Sequence, residues 1–261
     1  MIQLTTNLSD ALIELIRADQ ALIDAIEVGT WFSVKQVRQY RRQFPGWEFH
    51  FHAGTMIVKV GLIPGTIRRL KEYLLCTSSP WASVHLGLLP PVHLWLALRF
   101  GCYLPPPGLD RATRRSVRRI AKLAAAIDTP VILENMPPLG AGRYTFEGEP
   151  DRIRAILEAT NCDLLLDIAH ARVAAGALGM DIYDYLNRLP LERVVQIHIS
   201  GPRMRDGYLY DAHESLQESD YALLEWVLTR TRPQVLTLEY FREREALYEQ
   251  LWRLRGVLDG M

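Results

Sequence analysis

Short apolar runs alternate with longer amphipathic stretches along this chain, and the alternation predicts eight strand-and-helix units in series. The predicted strands are Ile2 to Thr5, Asp24 to Val28, Glu48 to His52, Ala82 to Leu86, Val131 to Asn135, Leu164 to Ile168, Val194 to Ile199 and Leu236 to Tyr240. Helices are predicted over Ser9 to Arg17, Gly65 to Leu75, Arg111 to Ile127, Asp151 to Ala159, Tyr221 to Thr231 and Glu243 to Leu258. No linker or low-complexity stretch divides them, so residues 1–261 read as one domain. Right-handed crossovers joining eight such units close naturally into an α/β fold, a (β/α)8 or TIM barrel, with an open doubly wound sheet as the alternative. The longest insertion, at about 88–108, follows the fourth strand and holds an apolar run from Val92 to Phe100 and three prolines at 105–107. It reads as a lid or docking surface, or as an extra helix packed on the barrel.

Strand phase sharpens the picture, because alternate residues of a strand point to opposite faces. Phe49 and Phe51 alternate with His50 and His52, Val84 and Leu86 flank His85, and Leu133 precedes Glu134. Val195, Ile197 and Ile199 alternate with Gln196 and His198, and Leu236 and Leu238 with Thr237 and Glu239. Aliphatics therefore take one face and polar groups the other. The polar groups gather near the C-terminal strand ends, where barrels of this kind build their sites.

His52, His85, Glu134, Asp167, His170, His198, Asp211, His213 and Glu239 form the candidate metal set. Imidazoles and carboxylates without thiolates suit zinc, iron or manganese, and nine such groups exceed the needs of one ion, so two or three ions are expected. A single histidine is more often a satisfied polar residue. The set escapes that reading, because so many unpaired polar groups in one barrel mouth would carry a desolvation cost that cations remove. Asp167-x-x-His170 ends the sixth strand, and Asp211-x-His213 follows the seventh in a loop with Gly201, Pro202 and Gly207. Glu134, Asp167, His198 and Asp211 are the candidates for a direct part in the chemistry. Around them, His50 is expected to orient a ligand or fill the barrel, and Glu27 to hold a histidine or a substrate or to be a structural acid. Asn135, Arg203 and Arg205 are further candidates for substrate or supporting contacts. His93, in an apolar stretch, is left outside the site.

Three divalent ions would bring six positive charges against four negative ones from Glu134, Asp167, Asp211 and Glu239, leaving a centre that attracts anions. The chain as a whole has a formal net charge of zero and a pI near 7.1, so no overall field holds it on nucleic acid or an anionic membrane. The arginines of the predicted helix from Arg111 to Ile127 read as a solvated face. Cys76, Cys102 and Cys162 are an odd set without CxxC spacing, no leader precedes them, and no apolar run approaches a bilayer's thickness. A cytoplasmic protein is expected.

The order His, His, Glu, Asp-x-x-His, His, Asp-x-His, Glu from His52 to Glu239 resembles the trinuclear site of the xylose-isomerase-like barrel superfamily. Two families there share a nine-ligand arrangement: endonuclease IV, and the multinuclear non-haem iron oxidative enzymes that modify cysteines in ribosomal peptides. The stretches LLLDIAHARVAA, LPLERVVQIHISGP and DGYLYDAHESL are similar to the iron family's strand, His-x-x-Gly and Asp-x-His pattern. LENMPP resembles its Glu-Asn-Pro motif with one extra residue before the proline. The Thr-Ala-Gly and Asn-Asp-Ser of endonuclease IV are missing.

The resemblance implies that the nine residues are iron ligands, that carboxylates bridge some ions, and that oxidation starts from an activated substrate thiolate. It also implies a peptide substrate and a partner protein that presents it. The alternatives are an endonuclease IV-like zinc phosphodiesterase, a sugar isomerase or epimerase using Glu134, Asp167, His198 and Glu239, and a metal-stapled scaffold without activity. A phosphodiesterase needs a DNA-gripping rim, and the isomerase leaves His52, His85 and His213 without a task.

Overall fold

A computed structural model of the chain describes residues 1–54, 65–139 and 142–260. Eight parallel strands close into a barrel. In chain order these are β1 (Gln3–Asn7), β2 (Ala25–Gly29), β3 (Glu48–Gly54), β4 (Ala82–His85), β5 (Val131–Glu134), β6 (Asp163–Asp167), β7 (Val194–Ile199) and, last, β10 (Val235–Leu238), which closes the ring by pairing with both β1 and β7. Two further strands, β8 (Gly201–Arg205) and β9 (Tyr208–Glu214), form an antiparallel hairpin between β7 and β10.

The helices of the outer layer are α1 (Asp10–Arg17), α2 (Val34–Gln43), α3 (Thr66–Thr77), α5 (Leu109–Ala124), α6 (Pro150–Thr160), α7 (Ile168–Leu178), α8 (Ile182–Arg188), α9 (Glu218–Leu228) and α10 (Arg244–Asp259). Between α3 and α5, α4 (Pro91–Phe100) occupies the segment between β4 and α5. No helix among the described residues is long and apolar enough to cross a membrane.

Strand alternation divides the interior into two layers. Ile26, Val28, Phe49, Phe51, Val84 and Leu133 face the helices and join one large core. Trp81, Ile132, Leu165 and Val235, on the opposite phase, form a separate small cluster that plugs the lower barrel. Above that plug the inward positions turn polar: Thr5 and Thr237 share a 2.7 Å hydrogen bond, and Gln196 donates to Thr237 at 3.0 Å. The candidate ligands sit one pleat higher still.

The expected helices occur with ends shifted by a few residues, and three others were not anticipated. α2 buries only Val37 on its inner face, so its sequence has almost no apolar stripe, although Ser33 and Gln36 form a capping box at its start. α7 has the opposite problem, since IAHARVAAGAL is apolar nearly all round. α8 is only seven residues long. Two details of the site segments also differ. The stretch after the seventh strand, expected as a loop, is the β8–β9 hairpin. Its His213 has φ +47°, so Asp211 and His213 are not a plain extended i, i+2 pair.

Candidate metal centre

Five imidazoles and four carboxylates converge at the C-terminal end of the barrel. β3 supplies His52 and β4 His85, whose Nε2 atoms stand 2.9 Å apart. Glu134, at the end of β5, brings Oε2 to 3.4 Å from His52 and 3.2 Å from His85, while its Oε1 lies 3.2 Å from His170 Nδ1. Asp167 ends β6 and also caps α7, accepting the His170 amide at 2.7 Å, which fixes the Asp-x-x-His pair as one helical turn. His170 Nε2 is 3.4 Å from Asp211, and Asp211 is 2.8 Å from His213. Glu239, one residue beyond β10, closes the circle at 3.3 Å from His198 and 3.6 Å from His213.

Three of the imidazoles are also held through one ring nitrogen by a group outside the nine. His52 Nδ1 bonds the Ser83 hydroxyl at 3.0 Å, His170 Nδ1 donates to the Asn135 carbonyl at 2.9 Å, and His198 Nε2 lies 3.1 Å from Glu27. The other ring nitrogen of each faces a cluster group: His52 Nε2 lies 3.4 Å from Glu134, His170 Nε2 3.4 Å from Asp211 and His198 Nδ1 3.3 Å from Glu239. A partner on one nitrogen that orients the ring for the other is how metal-ligating histidines are held. Glu27 is fully buried and also accepts from Asn7 and Gln196, both at 2.9 Å. Burial pushes its carboxyl up, but His198 outweighs this and holds it below the usual range.

A cation fits what remains. Within the cluster, Glu134 Oε2, Asp167 Oδ2, His198 Nδ1 and His213 Nδ1 are buried without a hydrogen-bond partner. Such orphaned atoms carry a desolvation cost unless something of opposite charge sits between them. Two nitrogen or oxygen donors bound about 2.1 Å from one ion lie about 3.0 to 3.4 Å apart, which matches the His52, His85, Glu134 triangle. Ligand atoms of Glu134, Asp167 and His198 likewise lie within 4.8 Å of one another, as do those of Glu27, His198 and Glu239.

Electrostatics within the cluster point the same way. Burial lifts Asp167 to about 7, with Asp211, Glu239 and Glu134 adding to the rise against the pull of His170. Against the opposition of burial, Glu239 is held at about 2 by His198 and His213, and His213 is raised to about 9 by Asp211 and Glu239. His85, where burial dominates, falls to about 4 and is neutral. The groups thus span both directions of shift within one small volume, the signature of a site built around further charge.

The supporting residues expected from sequence are placed unevenly. Asn135 is fully buried and clamps Asp167, donating to its carbonyl and accepting its amide, each at 2.9 Å. His50 packs edge-on against Trp81 and lines a cavity at the barrel floor, so it fills the barrel and orients no candidate ligand. Arg203 donates to the Pro202 and Ser215 carbonyls, which ties it to the hairpin, and Arg205 pairs with Asp206 at the exposed tip. Ser83 escaped the sequence reading, and Gln196 was placed on the polar face without a role, although both lie on the inward phase two residues before a histidine. Trp31 and Phe241, exposed beside His52 and His213, were also missed, and no local pattern distinguishes them.

A cleft of about 780 Å³ opens beside the cluster, bounded by His85 and Asp211 at one end and by Leu89, Leu94, Pro138, Leu139, Val173 and Met204 along its walls. The same cleft receives the tip of the β8–β9 hairpin.

Solved structures share the fold across nearly the whole chain. A D-tagatose 3-epimerase-like protein aligns with TM-score 0.61 and 16% identity over 99% of this chain and 97% of its own. A xylose isomerase-like TIM barrel protein from Mycobacterium smegmatis in complex with magnesium aligns with TM-score 0.62 and 13% identity over 99% and 97%. Curated relatives carry only provisional names: a UPF0276 protein of Acaryochloris marina is 28% identical over 58% of each chain, and one of Caulobacter vibrioides 29% over 66% of this chain and 61% of its own. These alignments span less than two thirds of the relatives' length. The family model for the RiPP precursor modification enzyme MbnB/TglH/ChrH, whose members act on ribosomally made peptide precursors, matches residues 34–254. With that match running from α2 into α10 through every candidate ligand, the chain, folded as a (β/α)8 barrel, belongs to the family described as RiPP precursor modification enzyme MbnB/TglH/ChrH.

Proposed function

We propose that this protein is a multinuclear, iron-dependent oxidative enzyme that modifies cysteine, or a similar group, in a peptide substrate. The observation that carries the reading is the convergence of five imidazoles and four carboxylates at the barrel mouth, with His52, His170 and His198 further held by Ser83, Asn135 and Glu27. His52, His85 and Glu134 would hold one ion, Glu134, Asp167 and His198 a second, and His170, Asp211, His213 and Glu239 complete the set. When bound, iron supplies electrons for reducing dioxygen and Lewis acidity toward a substrate thiol.

The chain's own residues set the terms of that chemistry. Glu134, reaching two histidines through one oxygen and a third through the other, is the carboxylate suited to bridging. His85 and Asp211 line the cleft as well as the cluster, so a side chain entering the cleft meets the centre there. The apolar walls would shed water from that meeting point once a peptide fills the cleft, which strengthens its electrostatics. They also favour a peptide over a polyhydroxylated sugar, whose hydroxyls would find few partners in the cleft.

The test is metal content on protein purified without oxygen, with Mössbauer or EPR spectra before and after admitting air. Two or more irons per chain that change valence are expected. Stoichiometric zinc, with no iron taken up from iron-rich medium, overturns the reading in favour of hydrolytic chemistry.

A further inference from the structure

Beside the metal cluster, the cleft contains one buried charge that the proposed chemistry does not use. Glu147 ends a short 3-10 turn, Thr145–Glu147, and is 6% exposed. Its Oε1 accepts the amides of Leu88 and Leu89, both at 3.1 Å, which anchors the chain just before α4. Its Oε2 has no hydrogen-bond partner among the described residues, and no lysine, arginine or histidine of those residues pairs with the carboxylate. The residue lines the cleft with Leu89, Leu94 and Pro138. The turn that carries it is firmly seated, because Gly148 lies so close to Ala174 and Pro138 that an added Cβ would stand 2.8 Å from the Ala174 Cβ.

We propose that Glu147 is a specificity-determining residue, whose free oxygen receives a cationic side chain, lysine or arginine, of the peptide bound in this cleft. A buried carboxylate without a cation is costly, and with no cationic side chain of the described residues paired to it, the substrate is left to supply one. The other charged residues of the cleft are committed elsewhere: His85 and Asp211 belong to the cluster, and Arg205 and Asp206 pair with each other at the hairpin tip. Burial alone lifts the Glu147 carboxyl to about 7 despite the two amides that favour its charge, as expected of an acid that lacks its counter-ion. This inference rests on the reading that the cleft takes a peptide.

The experiment uses metal-loaded protein and short synthetic cysteine peptides of apolar sequence, in which one lysine is moved through the positions flanking the cysteine and compared with norleucine. Binding is read by fluorescence anisotropy in the wild type, Glu147→Gln and Glu147→Ala. Glutamine keeps an oxygen for the Leu88 and Leu89 amides but turns an NH2 toward the cleft, so below about pH 5, where the folded wild-type carboxyl is protonated, its thermal midpoint stays near the wild type while that of the alanine variant falls. At one or two positions lysine should tighten wild-type binding tenfold or more over norleucine, and Glu147→Gln should lose that preference while binding the norleucine peptide as before. Absence of any lysine preference, its persistence in Glu147→Gln, or absence of peptide binding overturns the proposal. Oxidation of the same peptides in air is scored separately from binding, so the two readings fail separately: peptides oxidised without a lysine preference sink only the role of Glu147, and lysine-dependent binding without oxidation sinks only the oxidative chemistry.

Discussion

Glu27 Oε2 stands 3.1 Å from His198 Nε2, and both side chains are fully buried. The carboxylate therefore selects which imidazole nitrogen faces Glu239. Replacing it by glutamine keeps the size but removes the charge that orients and enriches the ring. Glu27→Gln should weaken metal affinity by roughly 10-fold to 100-fold, the usual effect of losing such a partner. Competition with a chelator of known affinity measures it, and unchanged affinity would assign Glu27 a purely structural part.

Ion binding should stabilise the barrel strongly, because the cluster joins residues from β3 to the end of β10. At an ion concentration a hundred times the dissociation constant, one site contributes about 2.7 kcal/mol. For a chain of this size that is a rise of roughly 5 to 10 °C in thermal midpoint. Calorimetry with and without chelator should show that difference, and in His52→Ala/His85→Ala it should shrink.

Gly201 begins the hairpin opposite Glu214, and an added Cβ would stand 2.4 Å from the Ser215 carbonyl oxygen and 2.6 Å from that of Glu214. Backbone oxygens cannot swing aside as a flexible side chain does. Gly201→Ala should therefore displace β9, cost about 1 to 3 kcal/mol and lower the number of ions retained through Asp211 and His213. Elemental analysis together with a denaturant titration checks both effects; full metal content would show that the hairpin adapts.

Glu147 also gives a stability signature with a definite sign. Unfolded, its carboxyl releases its proton near 4.5; folded, burial holds the proton to about 7. Between those values the folded state binds more protons, so this residue's contribution to stability declines as pH rises through the window and is constant outside it. The decline is of order 3 kcal/mol. The stability of Glu147→Gln relative to wild type should therefore increase from pH 4.5 to pH 8, as urea titrations at several pH values would reveal; a flat difference would place the folded carboxyl in the ordinary range.

Much of the barrel was legible because two periodicities coincide in it. Phe49, Phe51, Val84 and Ile197 mark the helix-facing side, and the same alternation exposes His52, His85 and His198 on the other. A period of two carries no information about depth, however, so His50 and His52 look alike in sequence while one meets Trp81 at the floor and the other the cluster at the mouth. The β8–β9 hairpin was hidden because Gly201, Pro202 and Gly207 signal a loop and the strands between them lack apolar alternation. Glu147 left no trace at all. Its burial depends on the Leu88–Leu89 segment and α7 packing around its turn, and that is a tertiary fact without a local pattern.

The position of β10 has a consequence for the order of events during folding. This strand is the last stave of the barrel, hydrogen-bonded to β1 on one side and β7 on the other, and Glu239 rides on its end. Donors that begin at His52 are complete only when that final seam is zipped, so a partly folded chain offers ions scattered pairs of ligands and never the whole ring. Tight metal capture then becomes a certificate of closure, granted late and only to chains whose two ends have already found each other.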